Sequence, residues 1–441
     1  MDQMNKRFFI SIIAALAGFL FGFDTVVISG ADQQLQQLWG TSDLFHGTFI
    51  MSMALWGTVL GAVFAGFPTA RFGRKNTLIA IGVLYFISAV GSGLATHPYA
   101  FSFFRFIGGI GVGASTIAAP TYIAEIAPAN ERGRLVALYQ FNIVFGILIA
   151  FFSNYLLQNV GSAPWRWMVG VEALPALVYL LGIWSIPKSP RWVLTHQGNV
   201  EEANNLRSQL NYPPFSTAEI AAIKTPKQDI SSERLFTKKY RFPLLLAFLV
   251  AFFNQFSGIN AFLYYAPRIF ETAGLGANTA LLSSVGIGVT NLIFTLLGLY
   301  LIDRLGRKTL LHIGSYGYII SLSLVGLAFF QEWEGLFIPF FLFLFIAAHA
   351  IGQGAVIWVF ISEIFPDHLR AHGQAFGSSV HWVLAALITL LMPVVLGLFS
   401  NPGIVFVFFA VMMVFQLLFV LLLMPETKGI PLETLSTRLQ K

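Results

Sequence analysis

Asp24 lies in the stretch Gly18-Phe19-Leu20-Phe21-Gly22-Phe23-Asp24-Thr25, inside an apolar run from Phe8 to Gly30. A run of that length crosses a bilayer as a helix. A carboxylate there costs at least ~2.5 kcal/mol at the helix centre and by default marks an ion or substrate pathway. The chemistry open to it is taking up and releasing a proton. Arg105 occupies a second apolar run, 99–121. Asp24 is ~24 Å into its run from one side and Arg105 ~9 Å into its run from the other, at 1.5 Å per residue. In a ~30 Å core the two fall at similar depth, so they are expected to pair. A guanidinium favours the ionised carboxyl and desolvation the protonated one. A movement separating the pair would therefore switch proton binding. The plainer alternative is a static structural ion pair. Glu172 is a second acid in an apolar run, serving either packing or proton relay.

A second set is made of amides. Asn254, Gln255 and Asn260 surround Gly258, with Tyr264, Tyr265 and Pro267 following. Amides within a membrane helix need partners, and the hydroxyls of a sugar match them as donors and acceptors. Gln255 and Asn260 stand about 140° apart on an unbroken helix. Both reach one ligand only if the helix breaks, which Gly258 and Pro267 permit. Discontinuous helices of this kind are a transporter signature. Amides can also serve as interhelical glue.

A third set lies in basic turns. Arg71-Phe72-Gly73-Arg74-Lys75 reappears as Arg304-Leu305-Gly306-Arg307-Lys308, 233 positions later. Glu125 and Arg132 reappear as Glu363 and Arg370, 238 positions later, and Pro187-Lys188-Ser189 as Pro425-Glu426-Thr427 at the same offset. These matches in order make the chain two similar halves. Arg71, Arg74, Glu125, Arg132, Arg304, Arg307, Glu363 and Arg370 could hold the inner helix ends together in one state and release them in another. The alternative is a fixed topology anchor.

The elements that must position these residues are membrane helices. The chain has 441 residues, 56% hydrophobic and only 10% charged, with mean hydropathy +0.73. Twelve apolar runs of span length occur, near 8–30, 46–69, 77–96, 99–121, 135–158, 165–186, 242–272, 276–301, 309–330, 336–364, 373–398 and 402–424. Helices satisfy their own backbone in lipid, so the fold class is an all-α membrane protein of twelve transmembrane helices in two six-helix bundles. The expected divisions are a first bundle over 1–186, a cytoplasmic linker with two or three short helices over 187–241, a second bundle over 242–424 and a tail over 425–441. Asn199 with Glu202 and Ser216 with Glu219 read as caps of linker helices. The linker is either a latch between bundles or a solvated connection.

Net charge is +6, but of 26 Lys and Arg all except Arg105, Arg166 and Arg268 fall in the termini or alternate loops. That bias places both termini in the cytoplasm and argues against a nucleic-acid partner. Residues 4–23 have the pattern of a signal peptide, but the long run and the spans that follow favour a retained helix. With no cysteine, disulfides, thiolate nucleophiles and Cys-based metal sites are absent. Nothing points to an enzyme or a metal site. The Gly108–Gly113 glycine run lies in a span, where it permits close helix packing, and it follows no strand as a nucleotide fingerprint would.

Arg-Phe-Gly-Arg-Lys, Glu-Ile-Ala-Pro followed by Arg-Gly, Ser-Pro-Arg-Trp at 189–192 and Pro-Glu-Thr-Lys-Gly at 425–429 together resemble the sugar porter family of the major facilitator superfamily. That family includes proton-linked xylose and glucose symporters and facilitative glucose carriers. Ala70 and Lys188 depart from its pattern, standing where Asp or Asn and Glu are usual. The resemblance implies that Gln140, Asn291, Trp358 and Trp382 line a sugar pocket with Asn254, Gln255 and Asn260. It also implies that Phe21 packs on the sugar and that Tyr264 and Tyr265 form an outer lid, aromatic-belt residues being the alternative. His381 replaces a usual amide. An Asp at position 24 is the proton-coupled form. The expectation is a proton-coupled monosaccharide symporter of a bacterial inner membrane, monomeric, with no cofactor beyond the proton as coupling ion. A facilitative uniporter, and a sugar receptor or channel, are the alternatives.

Overall fold

The computed structural model describes residues 3–128, 131–224, 234–366 and 368–439. Eleven helices among them are long and apolar enough to cross a membrane: Lys6–Gly30, Arg74–Leu94, Pro98–Ile126, Arg132–Leu157, Pro164–Ser185, Lys238–Thr272, Ala277–Leu305, Arg307–Phe330, Phe337–Glu363, Arg370–Leu398 and Gly403–Leu422. The pair Asp43–Met51 and Met53–Phe64, bent by 40°, makes the twelfth when taken as one span, the second in chain order. The twelve runs read from the sequence correspond to these one by one. Large apolar side chains such as Phe103, Leu181, Ile293 and Phe415 stay exposed on them, as lipid-facing surfaces require.

Several spans are interrupted where polar residues gather. The first tightens into a 3-10 turn over Ile28–Gly30. The sixth has a turn at Val171–Glu172, and the tenth is wound more loosely over Ala350–Gly354. The seventh stops at Gln255 and restarts at Ile259. Gly258 makes that break with φ +87°, a left-handed conformation that side chains disfavour. Each interruption frees backbone groups and turns neighbouring side chains off the helix's regular face.

Two compact units result. The first holds Met1–Thr25, Trp56–Ile147 and Val169–Ser232; the second holds Val26–Leu55, Leu148–Met168 and Glu233–Lys441. The far ends of the first, second, fifth and sixth spans are thus packed with the second half of the sequence. Asn154 donates to the carbonyl of Val27 at 3.0 Å, and Gln158 to Asn278 at 3.0 Å.

The first unit's core runs from Ile10 and Leu20 through Tyr85 and Tyr122 to Tyr179 and Ile183. The linker begins on this unit. Val200–Gln209 and Thr217–Lys224 are helices, capped by Asn199 and Ser216 as the sequence indicated. Arg7 donates to the carbonyls of Leu210 and Asn211 and lies 4.0 Å over the Tyr212 ring. The rest of the expected linker helices, 225–233, falls outside the described residues.

The first and fifth spans cross in close contact. A Cβ on Gly22 would fall on the carbonyl oxygen of Ile143, and one on Gly146 on that of Phe19. This double glycine crossing sets the approach of the helix that carries Asp24. Alanine at both positions forces the helices apart, at about 1–3 kcal/mol for such overpacking. The expected outcome for Gly22→Ala/Gly146→Ala is a melting temperature in detergent lowered by several degrees; an unchanged melting curve would remove this constraint.

Candidate functional site

In the first unit, Arg105 and Asp24 form the expected ion pair. Arg105 Nη1 donates to Asp24 Oδ1, and Nη2 donates to the Asp24 carbonyl oxygen at 2.8 Å. Asp24 is 1% exposed, Arg105 2% and Glu172 1%. Glu172 stands at the turn in the sixth span, near Asp24 and Arg105. Two carboxyls and one guanidinium are thus buried together. Asp24 Oδ2 and Glu172 Oε1 have no hydrogen-bond donor facing them among the described residues.

The sequence reading left Glu172 between packing and relay; the structure puts it in the cluster. Tyr85 and Ser88 were missed. Both are fully buried on the third span, and their hydroxyl oxygens lack partners among the described residues. Their three-residue spacing, with Ser92 four further on, is one polar stripe on a helix and was available as a signal. Phe21 and Gln140, both half-buried, also belong to this unit.

In the second unit the break at Gly258 brings the amides together. Asn260 donates to Gln255 Oε1 at 2.7 Å. Gln255 Nε2 donates to Asn254 Oδ1 at 3.0 Å and faces the His381 ring nitrogens at 3.1 and 3.2 Å. An amide N–H donates only to an unprotonated ring nitrogen, which fixes His381 as acceptor toward Gln255. Trp358 and Trp382 flank His381, with ring centroids 5.0 and 4.7 Å away. Gln374 holds the tenth span at the Trp358 carbonyl, 2.9 Å away. Asn291 is buried on the eighth span and accepts from Thr295 at 3.4 Å. The amides are already bonded to one another, so a polyol ligand must exchange bonds with a pre-set network rather than order free side chains. Tyr264 and Tyr265 are buried, and Tyr265 donates to the Thr389 carbonyl at 2.9 Å.

The basic ends repeat the same geometry in each unit. Arg74 Nη2 reaches Glu125 at 2.8 Å, and Ser189 donates to that carboxylate at 2.6 Å. Arg307 Nη2 reaches Glu363 at 2.8 Å, and Thr427 donates at 2.6 Å. Only the second arginine of each motif takes the glutamate. Gly73 and Gly306, with φ +90° and +94°, start the next helix there and aim its first residue inward. The other expected members of the network lie elsewhere. Arg71 is exposed, and Arg304 lies 4.0 Å over the Tyr300 ring. Arg132 and Arg370 donate to the carbonyls of Ala124 and Ser362, at 3.1 and 2.9 Å.

The two ends differ at the position just before the serine or threonine. Burial works against the Glu426 charge, but backbone N–H groups of Lys428, Arg307, Lys308 and Thr427 outweigh it and bring its pKa below the usual carboxylate value. Lys188, at the matching place in the first half, pairs with Glu202 at 3.1 Å. Among the described residues, no group of three or more His, Asp or Glu is placed to hold a metal ion.

Residues 10–439 match the family model described as sugar (and other) transporter. The D-xylose-proton symporter of Escherichia coli (strain K12) is 33% identical, over 98% of this chain and 96% of that protein. The arabinose-proton symporter of Bacillus subtilis (strain 168) is 35% identical, over 98% and 94%. An inward-open structure of the xylose transporter XylE from E. coli superposes with a TM-score of 0.85 at 32% identity, covering 98% of this chain and 99% of that one. The match takes in the buried Asp24 cluster, the broken seventh span and both Glu–Arg ends together, and on that extent the chain belongs to the sugar (and other) transporter family.

Proposed function

We propose that the chain is a proton-coupled monosaccharide symporter working by alternating access. The observation that carries the coupling is the buried trio Asp24, Glu172 and Arg105, with more acid than base among the described residues. A proton entering this cluster neutralises it, and a movement of the fourth span relative to the first would change its affinity. The sugar is held by the second unit's amides, His381 and the two tryptophans. Tryptophan faces take the C–H side of a pyranose while amides take its hydroxyls. Tyr264 and Tyr265 close the outer side of this site. The xylose and arabinose symporters among the relatives support a pentose or hexose as substrate. The Lys and Arg distribution supports cytoplasmic termini in a bacterial inner membrane. The functional unit is a monomer, and the proton is the only coupling ion. At the cytoplasmic side, Arg74–Glu125 and Arg307–Glu363 anchor the helix ends.

Uptake of labelled xylose, arabinose and glucose into proteoliposomes tests this directly. With an inward proton gradient, wild type is expected to accumulate one of them above the outside concentration. Asp24→Asn should lose accumulation while still exchanging sugar at equal concentrations across the membrane. Accumulation that survives Asp24→Asn, or never occurs, would reduce the protein to a facilitative carrier.

His381 separates the sugar site from the proton site. His381→Gln keeps a hydrogen-bonding group beside Gln255, whereas His381→Phe leaves a buried amide unpaired at a cost of about 1–3 kcal/mol. The Phe variant is expected to bind sugar roughly 5- to 150-fold more weakly, as that cost implies, with the Gln variant close to wild type. Equal affinities for the two variants, measured by calorimetry, would take His381 out of the site.

A further inference from the structure

Arg268 is one of three arginines inside the apolar runs, and neither the proton cluster nor the amide cluster uses it. It follows Pro267 near the end of the seventh span. Its Nε lies 2.7 Å from Asp32 Oδ2, and its Nη2 donates to Asp32 Oδ1 at 2.9 Å and to Gln36 Oε1 at 2.5 Å. Asp32 begins the helix Asp32–Trp39, just after the first span. His46, in the first part of the bent second span, places Nε2 2.7 Å from the same Asp32 Oδ1. Its Nδ1 faces the Thr41 hydroxyl at 3.4 Å. Asp32 is 1% exposed and His46 0%. All three residues lie in the second compact unit.

One buried carboxylate thus serves two basic groups. With His46 neutral, its Nε2–H donates to Asp32, its Nδ1 accepts from Thr41, and the Asp32–Arg268 charges cancel. With His46 protonated, two cations crowd one carboxylate and repel each other. The groups come from different halves of the sequence: Asp32 and His46 from the first, Arg268 from the second. In the transport cycle proposed above, sugar from outside enters only when the outer ends of helices from the two halves part. Parting takes Arg268 away from Asp32 and leaves His46 beside it. A buried carboxylate stripped of its cation is costly, and an imidazolium at His46 supplies the replacement.

We propose that Asp32, His46 and Arg268 form the outer latch of this carrier, and that His46 is a second protonation site whose loading opens it. Acid outside then favours the state that admits sugar, separately from the proton on Asp24. Other ionisable groups near the latch are Tyr265, Asp43 and Glu271. Tyr265 lies 5.8 Å from the Arg268 guanidinium, while Asp43 and Glu271 accept from Gln36 and Gln33. The eleventh span packs on this end of the second near Gly47 and Leu390 and carries no titratable side chain from Trp382 to Leu398.

The latch rests on the transport reading only in needing an outer mouth that opens, so its test uses neither sugar nor a proton gradient. The chain has no cysteine of its own. Thr389→Cys, at a fully buried position whose carbonyl accepts from Tyr265, reports outer opening to a membrane-impermeant maleimide. Leu38→Cys, at a position 56% exposed, corrects for the thiol's own pH dependence. From about pH 7.5 to about pH 5.5, the range in which histidine charges, corrected labelling of Thr389→Cys is expected to rise several-fold. Adding His46→Gln should flatten that rise, and adding Arg268→Gln should give high labelling at both pH values. Labelling unaffected by pH, a full rise retained in His46→Gln, or Arg268→Gln labelling like its parent would each overturn the latch. Should His46→Gln fail to reach the membrane, Arg268→Gln decides alone: open at both pH values supports the proposal, closed at either refutes it.

Discussion

Holding ionisable groups out of water without losing their use is the constraint behind the first unit. Asp24, Arg105 and Glu172 are all nearly inaccessible. Taking charges out of water costs several kcal/mol per ion, recovered only where geometry and hydrogen bonding are good. The local irregularities serve that need. The first helix tightens past Val27, whose carbonyl accepts from Asn154, and Arg105 bonds both the carboxylate and the carbonyl of Asp24. The sixth span turns at Glu172, which faces that acid toward Asp24. The glycine crossing at Gly22 and Gly146 fixes the helix that carries Asp24. A regular, larger-residue packing would bury more apolar surface and leave no site.

In the second unit the same constraint is met with neutral groups. Gln255, Asn254, Asn260 and His381 satisfy one another around the break at Gly258. An amide network costs less to bury than ions, and it does not commit the site to a charged ligand. This fits the proposed neutral polyhydroxylated solute, which would exchange hydrogen bonds with the amides and stack on Trp358 and Trp382.

Much of this was legible in the sequence, for physical reasons that can be named. Asp24 and Arg105 could be paired because depth in a bilayer is set by counting residues along a helix. The break at Gly258 was legible because two amides five apart have no common face without it. The Glu125 and Glu363 ends were legible because the same residues recur at one offset. What depended on packing was not legible. That Arg74 and Arg307, rather than Arg71 and Arg304, take the glutamates follows from the turn at Gly73 and Gly306. Glu172 could be seen as buried but not aimed. Asp32, His46 and Arg268 lie on three segments near helix ends, where depth counting is weakest, and no repeat marks them.

The two charged clusters differ in composition, and that difference predicts opposite responses to a proton. Around Asp24 there are two acids and one guanidinium, so the ionised cluster carries an excess negative charge and one proton removes it. Around Asp32 there is one acid with a guanidinium and an imidazole, so the cluster is balanced without a proton and overcharged with one. In a medium of low dielectric, imbalance is what drives rearrangement. The first cluster is therefore settled by a proton and the second is unsettled by it. A carrier built with both would open outward where protons are plentiful and then hold one at Asp24, which is the order of events that symport from an acidic exterior requires.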